Sequence, residues 1–432
     1  MPHRFKPFTT AICPERALLV GVETSSSAWP LEDSLDELAR LAETDGAEVV
    51  GRLTQRLDHP VPKTYIGSGK AREVADLVKS LEVDVVIFDD ELSPSQQANL
   101  EKIVGEPVKV IDRTALILDI FGNHATTREG RLQVQLAQLI YLLPRLRGMW
   151  SHLVGEQTRG GIGSRFGQGE SQLEVDRRMV RKRISTLRDE LERLERRRGV
   201  QSKARDDSGI YRVALVGYTN AGKSTLLNQL TGAEVYVRDE LFATLDPTTR
   251  TLELGEGRKV TLTDTVGFIQ KLPTTLIESF KSTLAEVLAA DLILHVVDAH
   301  DDHAARQLRA VHEVLEEIGA SEIPSVLVLN KADLLGADEL RTLVANHPEA
   351  ELVSALDGVG MEALRLRIAL EASAQDVTLT LLIPFAKGSL MRDVHERCQV
   401  IAERYVQEGL LTTVRAPERM AHALEAYAVE AE

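Results

Sequence analysis

The sequence predicts an α/β protein, because short apolar strands alternate with helical segments over most of its length. A loop suited to holding phosphate follows one of these strands, and a long helical segment with heptad spacing comes before it. We therefore expect a P-loop domain joined to an N-terminal α/β domain, a helical hairpin of the coiled-coil type and a small C-terminal α/β appendage. The predicted boundaries are 1–125 for the N-terminal domain, 126–200 for the hairpin, 201–209 for a linker, 210–372 for the P-loop domain and 373–432 for the appendage.

The N-terminal domain is expected to hold a small, mostly parallel sheet. Apolar runs predict strands over 17–22, 49–53, 83–88 and 108–111, and helical spacing predicts helices over 31–42, 71–81 and 93–104. One tetrapeptide, Gly67-Ser68-Gly69-Lys70, resembles part of a phosphate loop but lacks its spacing. Both a helix-capping turn and a second nucleotide site stay open at this point.

Two helical segments predict the hairpin. The first is expected over 129–143 and to end at Pro144, because proline is disfavoured inside helices. Six glycines lie between 155 and 169, with Arg159 and Arg165 among them, and they predict a mobile, arginine-bearing tip. The second helix is expected over 170–198, followed by a polar linker over 202–208. Its apolar seam consists of Leu173, Val180, Ile184, Leu187, Leu191 and Leu194. A merely disordered surface loop is the alternative to a functional tip.

The C-terminal appendage is predicted from a shorter pattern. We expect a strand over 377–383, an amphipathic helix over 390–408 and a second strand over 410–414. Together these elements would make a small α/β unit.

A phosphate loop is the most informative motif of the chain. It has the pattern G-x-x-x-x-G-K-S and lies between an apolar strand and a helical run, as its chemistry requires. Its residues are Gly217, Tyr218, Thr219, Asn220, Ala221, Gly222, Lys223 and Ser224. Backbone N–H groups of such a loop cradle phosphate oxygens, Lys223 would reach the β- and γ-phosphates, and Ser224 would bind Mg²⁺.

Three further tags follow predicted strands and indicate that the nucleotide is GTP. Asp264-Thr265-Val266-Gly267 supplies a carboxylate that can hold Mg²⁺ through water and an N–H that can meet the γ-phosphate. In Asn330-Lys331-Ala332-Asp333, the aspartate can accept the N1–H and 2-amino groups of guanine, which adenine does not offer. Asn330 would brace the neighbouring loops and the Lys331 stem would pack on the base. The backbone of Ser354-Ala355 could meet guanine O6.

Charge and composition limit the class of protein. The net charge of −15 argues against a surface that coats nucleic acid, yet 12 basic and 4 acidic residues lie between 177 and 205. This basic arm would suit docking to a polyanion, although the charge run taken alone favours a solvated charged helix. No apolar run is long enough to span a membrane, a signal peptide is not evident, and Cys13 and Cys398 are far apart. We expect a cytoplasmic protein.

Longer segments carry a family resemblance. The chain resembles the HflX GTPases, of the Obg–HflX group of translation-associated P-loop GTPases, over nearly its whole length. The resemblance rests on the segments 112–121, 129–139, 141–146, 167–170 and 172–178. It implies an N-terminal α/β domain, a helical hairpin and a GTPase domain. It also implies that the protein binds the large (50S) ribosomal subunit and its rRNA and splits stalled 70S ribosomes under stress.

The same resemblance identifies switch I. Phe242-Ala243-Thr244-Leu245-Asp246 matches the family's F-A-T-L-D. Thr244 would complete the Mg²⁺ shell with its hydroxyl and sense the γ-phosphate with its N–H. Thr248 is the competing candidate.

Hydrolysis is expected to depend on Lys223, Asn220, Thr244 and Gly267. The residue after Gly267 is Phe268, where Ras-like enzymes have a glutamine, so intrinsic hydrolysis should be slow. Asn220 matches the asparagine by which some related GTPases hold K⁺, although it could equally cap its own loop. Help in trans from the ribosome is the second remedy.

Two rival functions stay open. One is a ribosome-assembly GTPase without splitting activity, and the other is an RNA-remodelling ATPase that acts through the N-terminal domain. We expect a monomer.

Overall fold

The computed structural model describes residues 14–25, 29–156, 166–206, 210–232, 241–242, 244–255, 258–271, 281–374 and 376–429. Contacts divide the chain into two compact units, Met1–Asn123 with Val134–Thr186 and His124–Gln133 with Leu187–Glu432. The domain boundaries given above stay predictions. Within the described ranges, no helix is both long and apolar enough to cross a membrane.

The first unit is built on a four-stranded parallel sheet, in the order β2-β1-β3-β4. Its strands are β1 (Arg16–Glu23), β2 (Glu48–Arg56), β3 (Val85–Phe88) and β4 (Lys109–Asp112). Its helices are α1 (Leu31–Thr44), α2 (Ser68–Ser80), α3 (Pro94–Val104) and α4 (Arg113–His124). Parallel strands need crossover helices, which cover the sheet and give the strands their apolar runs. The fully buried strand β3 shows this most clearly.

Helix α4 is absent from the sequence predictions. Its run of Leu, Ile and Phe fits a buried strand as well as a buried helix, so the spacing of apolar residues does not identify it. The start of the helix is set by a side chain. The carboxylate of Asp112, at the end of β4, accepts a hydrogen bond from the N–H of Ala115 at 2.9 Å. This caps the first turn of α4.

The two long helices extend beyond their predicted ends. Helix α5 (Arg128–Glu156) continues through Pro144, so the predicted stop at that residue is wrong. Pro144 is exposed, so water can satisfy the Ile140 carbonyl, which loses its helical donor at the proline. Helix α6 (Phe166–Asp206) includes most of the predicted linker.

The predicted seam of α6 is buried where the structure describes its side chains most fully. Ile184, Leu187 and Leu191 are buried, whereas the flanking basic residues are exposed. The central glycines and arginines of the predicted tip, 157–165, lie outside the described residues.

The second unit contains a six-stranded sheet, in the order β10-β9-β8-β5-β7-β6, with only β6 antiparallel. Its strands are β5 (Tyr211–Gly217), β6 (Thr248–Gly255), β7 (Arg258–Asp264), β8 (Leu292–Asp298), β9 (Ser325–Asn330) and β10 (Glu351–Leu352). Its helices are α7 (Lys223–Thr231), α8 (Lys281–Leu288), α9 (Ala304–Ile318), α10 (Ala337–Asn346) and α11 (Met361–Ser373). The parallel strands β5, β7 and β9 end at one edge, where ligands of such sheets bind.

The C-terminal segment forms a three-stranded antiparallel sheet, in the order β11-β13-β12. Its elements are β11 (Asp376–Pro384), α12 (Gly388–Arg397), β12 (Gln399–Val406), β13 (Gly409–Pro417) and α13 (Glu418–Leu424). The predicted helix over 390–408 is therefore wrong in its second half. Val400, Ile401, Tyr405 and Val406 favour a strand, and a turn ending at Gly409 pairs that strand with β13.

Candidate active site

The phosphate loop connects β5 to α7 with backbone that only certain residues adopt. Asn220 and Gly222 have φ values of 61° and 88°, in the left-handed region. A Cβ at Gly217 would collide with the Val296 carbonyl, and one at Gly222 would collide with the Asn330 side chain. The glycines of the motif are thus required by close packing and by conformation.

Lys223, the first residue of α7, is buried inside this loop. Its Nζ donates to the carbonyls of Gly217 at 3.1 Å and Tyr218 at 2.7 Å. Burial lowers the pKa of Lys223 to about 8, and the nearby Asp264 opposes that shift. A desolvated ammonium beside a phosphate-binding loop is well suited to neutralise a polyphosphate.

Three oxygen-bearing side chains meet beside Lys223. Ser224 Oγ lies 2.6 Å and Thr244 Oγ1 3.1 Å from the same oxygen of Asp264, Oδ2, and the two hydroxyls are 2.9 Å apart. Asp264 comes from the end of β7, Ser224 from α7 and Thr244 from switch I. Thr248, the competing switch residue, is instead the first residue of β6 and pairs with Asp264 through the backbone. The geometry favours Thr244.

This cluster fits Mg²⁺. Asp264 is fully buried, and its second oxygen, Oδ1, has no hydrogen-bond partner among the residues that the structure describes. Burial raises the pKa of Asp264, whereas Lys223 and the two hydroxyls act against that rise. Hydroxyl and carboxylate oxygens are the ligands that Mg²⁺ prefers, and P-loop GTPases in general use this ion.

The segment 264–268, which we call switch II, has its backbone joined to the phosphate loop. The N–H of Phe268 donates to the Gly217 carbonyl at 3.1 Å, and the Phe268 carbonyl accepts from the N–H of Thr219 at 2.8 Å. Thr265 Oγ1 donates to the Leu215 carbonyl at 2.7 Å, which fixes the segment that also holds Val266. A Cβ at Gly267 would lie 2.9 Å from Thr219 Cα, so only glycine fits there.

The predicted guanine-binding loops are braced by Asn330. Its Nδ2 donates to the Ala221 carbonyl at 2.9 Å, and its Oδ1 accepts from the Ala355 N–H at 3.0 Å. The predicted bracing role is therefore visible in the structure. Because the Ala355 N–H already donates to Asn330 Oδ1, a hydrogen bond from this N–H to guanine O6 stays a prediction.

Asp333 and Lys331 also have neighbours that the sequence did not indicate. The exposed carboxylate of Asp333 accepts from Ser354 Oγ at 2.6 Å. Lys331, at φ 64°, pairs with Asp298 at 2.7 Å, and the Ala332 N–H donates to the Val353 carbonyl at 3.1 Å. Asp333 and Ser354 thus meet at the edge where a base would enter.

Switch I is described except at Ala243, which lies outside the described residues. Phe242 and Leu245 are 2% exposed, and Phe242 has a left-handed φ of 59°. The side chain of Asp246 hydrogen-bonds Thr126 and Thr127, which precede α5. The sequence placed Asp246 in the nucleotide site, and it gave no indication of this contact. The threonines before the expected helix start predict a helix cap and do not identify Asp246 as a partner.

Comparisons with known proteins agree with this geometry. The family models "GTP-binding GTPase N-terminal", "GTP-binding GTPase Middle Region" and "50S ribosome-binding GTPase" match residues 32–122, 124–205 and 212–331. The GTPase HflX of Caldanaerobacter subterraneus subsp. tengcongensis is 46% identical over 396 residues, which cover 92% of this chain and 90% of that relative. The chain belongs to the HflX family of GTPases. The GTPase HflX of Escherichia coli K12 is 44% identical, with 91% of each chain covered.

A solved structure shows a more distant likeness. It is a GTP-binding protein from the hyperthermophilic archaeon Sulfolobus solfataricus in complex with GDP, 25% identical, with a TM-score of 0.42 over 83% of this chain and 99% of that one. The sequence relationship is the stronger finding. As a member of the HflX family, the chain binds GTP and hydrolyses it to GDP and phosphate.

Proposed function

We propose that this HflX-family GTPase is a nucleotide-dependent switch that binds the large ribosomal subunit and its rRNA and splits stalled 70S ribosomes under stress. The observation that carries the proposal is the basic surface of α6 on a chain whose net charge is −15. The exposed basic residues of this helix are Arg178, Arg181, Lys182, Arg183, Arg188, Arg193 and Arg196. Such a surface on an acidic protein favours local docking to RNA phosphates over general coating of nucleic acid.

The match of the second unit to a model described as "50S ribosome-binding GTPase" supports the same partner. It covers the phosphate loop, switch I, switch II and the first two residues of the loop at Asn330. A nucleotide-dependent change at these loops is the physical means by which ribosome binding would follow the GTP state.

The residues of the site would share the work of hydrolysis. Lys223 and the loop N–H groups would hold the β- and γ-phosphates, and Ser224 and Thr244 would bind Mg²⁺, with Asp264 holding it through water. When bound, the metal ion neutralises charge on the phosphate oxygens. The backbone N–H groups of Thr244 and Gly267 would position the γ-phosphate.

The side chain at position 268 gives no help to the attacking water. Phe268 is 2% exposed and carries no hydrogen-bonding group. Intrinsic turnover should therefore be slow, with acceleration from the ribosome and from K⁺ held with Asn220. Equal turnover in K⁺ and Na⁺ would remove the K⁺ role, and unchanged turnover with purified 50S subunits would remove ribosomal activation.

Binding to purified 50S subunits tests the proposed surface. We expect the triple variant Arg178→Gln/Arg181→Gln/Lys182→Gln to bind more weakly in the presence of a non-hydrolysable GTP analogue. The slope of log affinity against log salt should fall by about 2, since about three phosphate contacts are lost. GTP hydrolysis without ribosomes should be unchanged.

A matched triple variant controls for charge alone. Arg309, Arg341 and Arg404 are also exposed, and their replacement by Gln removes the same charge elsewhere. If both triple variants lose affinity equally, or if neither does, α6 is not the docking surface. The cytoplasmic location, the monomeric state and ATP binding near Gly67 stay predictions.

A further inference from the structure

Asp246, two residues after Thr244, is held by the turn that precedes α5. Its Oδ2 accepts from the N–H of Thr126 at 3.0 Å, the hydroxyl of Thr126 at 2.7 Å and the N–H of Thr127 at 2.8 Å. Its Oδ1 accepts from the hydroxyl of Thr127. Four donors on one carboxylate make a well-defined contact, which we name the Asp246 contact.

The turn is itself ordered by the first residues of α5. Thr127 caps the helix, because its Oγ1 accepts from the Gly130 N–H at 3.0 Å. Arg131 donates through Nε to the Ala125 carbonyl at 3.2 Å and through Nη2 to the Thr126 carbonyl at 2.9 Å. The donors that face Asp246 are thus presented by a fixed backbone.

Gly130 leaves the space that Asp246 occupies. A Cβ at this position would collide with Asp246 Oδ1. Gly130 is buried and lies in the first turn of α5, where alanine would otherwise be the better helix former. Glycine at this position is explained by the close approach of the Asp246 carboxylate, and not by helix formation.

The other end of the contact leads directly to the Mg²⁺ cluster. Thr244 contacts Ser224 and Asp264, Leu245 is 2% exposed, and Asp246 follows. A shift of Asp246 therefore moves a short segment whose only intervening residue is packed in the core.

We propose that Asp246, Thr126 and Thr127 are positioning residues that hold Thr244 in its place beside Ser224 and Asp264. The start of α5 thereby senses the state of switch I. Coupling of this kind is reciprocal: GTP orders the turn before α5, and an ordered turn favours GTP.

Nucleotide dependence distinguishes a positioning role of the Asp246 contact from a merely structural role. Thr244 is placed to meet the γ-phosphate and the metal ion, whereas GDP has no γ-phosphate. Loss of the Asp246 contact should therefore weaken a GTP analogue and spare GDP.

The test uses Gly130→Ala in the full chain, with the non-hydrolysable analogue guanylyl imidodiphosphate and GDP as the two ligands. We expect the affinity for the analogue to fall about tenfold and the affinity for GDP to change less than about twofold. Gly388→Ala is the matched control, since a Cβ there meets nothing within 4 Å and the residue also lies in a first helical turn. Equal losses for both ligands, or no loss for either, would overturn the proposal.

Two further measurements keep the test independent of folding defects. Asp246→Ala and the double variant Asp246→Ala/Gly130→Ala should lose the same affinity for the analogue, because the two substitutions break the same contact. A larger loss in the double variant, equal to the sum of the single losses, would contradict this. In the unaltered protein, amide hydrogen exchange over 126–131 should be slower with the analogue than with GDP, and equal rates would refute the coupling. None of these measurements uses ribosomes, so failure here is distinguishable from failure of the ribosomal proposal.

Discussion

Buried aspartates lie at the ends of parallel strands in the sheets of both units, yet their surroundings differ. In the first unit, Arg113 contacts Asp89 Oδ1 through Nη2 at 2.6 Å and Nε at 3.2 Å, and Ser34 Oγ donates to Asp89 Oδ2 at 2.7 Å. Asp112 accepts from the Tyr141 hydroxyl at 2.9 Å and from Arg145 at 3.3 Å. Both carboxylates are neutralised by arginines of the unit itself.

In the six-stranded sheet of the second unit, Asp264 has one carboxylate oxygen whose hydrogen-bonding capacity is unused among the described residues. Asp264 Oδ2 accepts from two hydroxyls, but Oδ1 has no hydrogen-bond partner in the described part of the chain, and no arginine is found against it there. A buried carboxylate with unused capacity is costly unless a ligand completes it. The comparison teaches that a charge at a strand end is structural where the fold satisfies it and functional where the fold does not.

The largest expected effect is on the stability of the first unit. Arg113→Met would leave the carboxylates of Asp89 and Glu37 without their cation, and should cost about 3–5 kcal/mol of unfolding free energy. Thermal unfolding measures the loss, and Arg56→Met, which removes an exposed ion pair, is the control. GTP hydrolysis by the folded variant should be unchanged, and a stable Arg113→Met protein would contradict the structural reading.

Asp264→Asn should have the opposite outcome, because it should lower activity and leave stability nearly unchanged. Loss of the charge at the Mg²⁺ cluster should reduce kcat at least about 100-fold, with little change in unfolding temperature. Phosphate release under saturating GTP measures this, with the exposed Asp302→Asn as control. A loss below about fivefold would remove Asp264 from the site.

Asp333→Asn tests the exposed carboxylate in the turn that follows β9 of the same sheet. The loss of charged hydrogen bonds to guanine should cost about 1.5–3 kcal/mol of GTP binding, roughly 10- to 150-fold in affinity. Discrimination between GTP and inosine triphosphate, which lacks the 2-amino group, should shrink. The control is Asp338→Asn, whose carboxylate is 96% exposed. Unchanged discrimination would mean that Asp333 does not read the base.

The smallest expected effect, measured between pH 7 and pH 5, concerns a buried group that stays uncharged. Burial lowers the pKa of His295 to about 3, helped by His312 and Lys223, and its Nε2 has no hydrogen-bond partner within the described ranges. Below the ordinary pKa of about 6.5, the unfolded chain takes up a proton that the folded chain does not. Stability is therefore fully present above pH 6.5 and should fall by up to about 1.4 kcal/mol per pH unit as pH drops toward 3.

The stability of unaltered protein and variants between pH 7 and pH 5 measures this effect. His295→Gln should flatten the pH dependence, whereas His300→Gln, at an exposed position, should not. Equal slopes in the unaltered protein and His295→Gln would refute the assignment.

The sequence was most informative where local chemistry is strict. The phosphate loop, the tags at Asp264 and Asn330 and the alternation of strands with helices follow from short-range patterns, and the structure has them at strand ends. The sequence misled us at Pro144 and over β12, because packing and strand pairing at a distance decided those segments. The arginine partners of Asp89 and Asp112 are separated from them by 24 and 33 positions, so no local pattern could reveal them.

The Asp246 contact illustrates the same limit. Thr126 and Thr127 lie 120 and 119 positions before Asp246 in the chain. Each residue also has an adequate local explanation, the threonines as candidate helix caps and the aspartate as part of switch I. Only the folded backbone brings them together.

Sedimentation of 70S ribosomes with this protein tests the central claim most directly. With a non-hydrolysable GTP analogue, we expect 70S particles to convert to subunits and the protein to travel with 50S, whereas with GDP the 70S peak should persist. Binding to free precursor subunits without loss of 70S would favour a role in ribosome assembly. Protein that stays at the top of the gradient with both nucleotides would contradict the ribosomal proposal and leave a GTPase with a different partner.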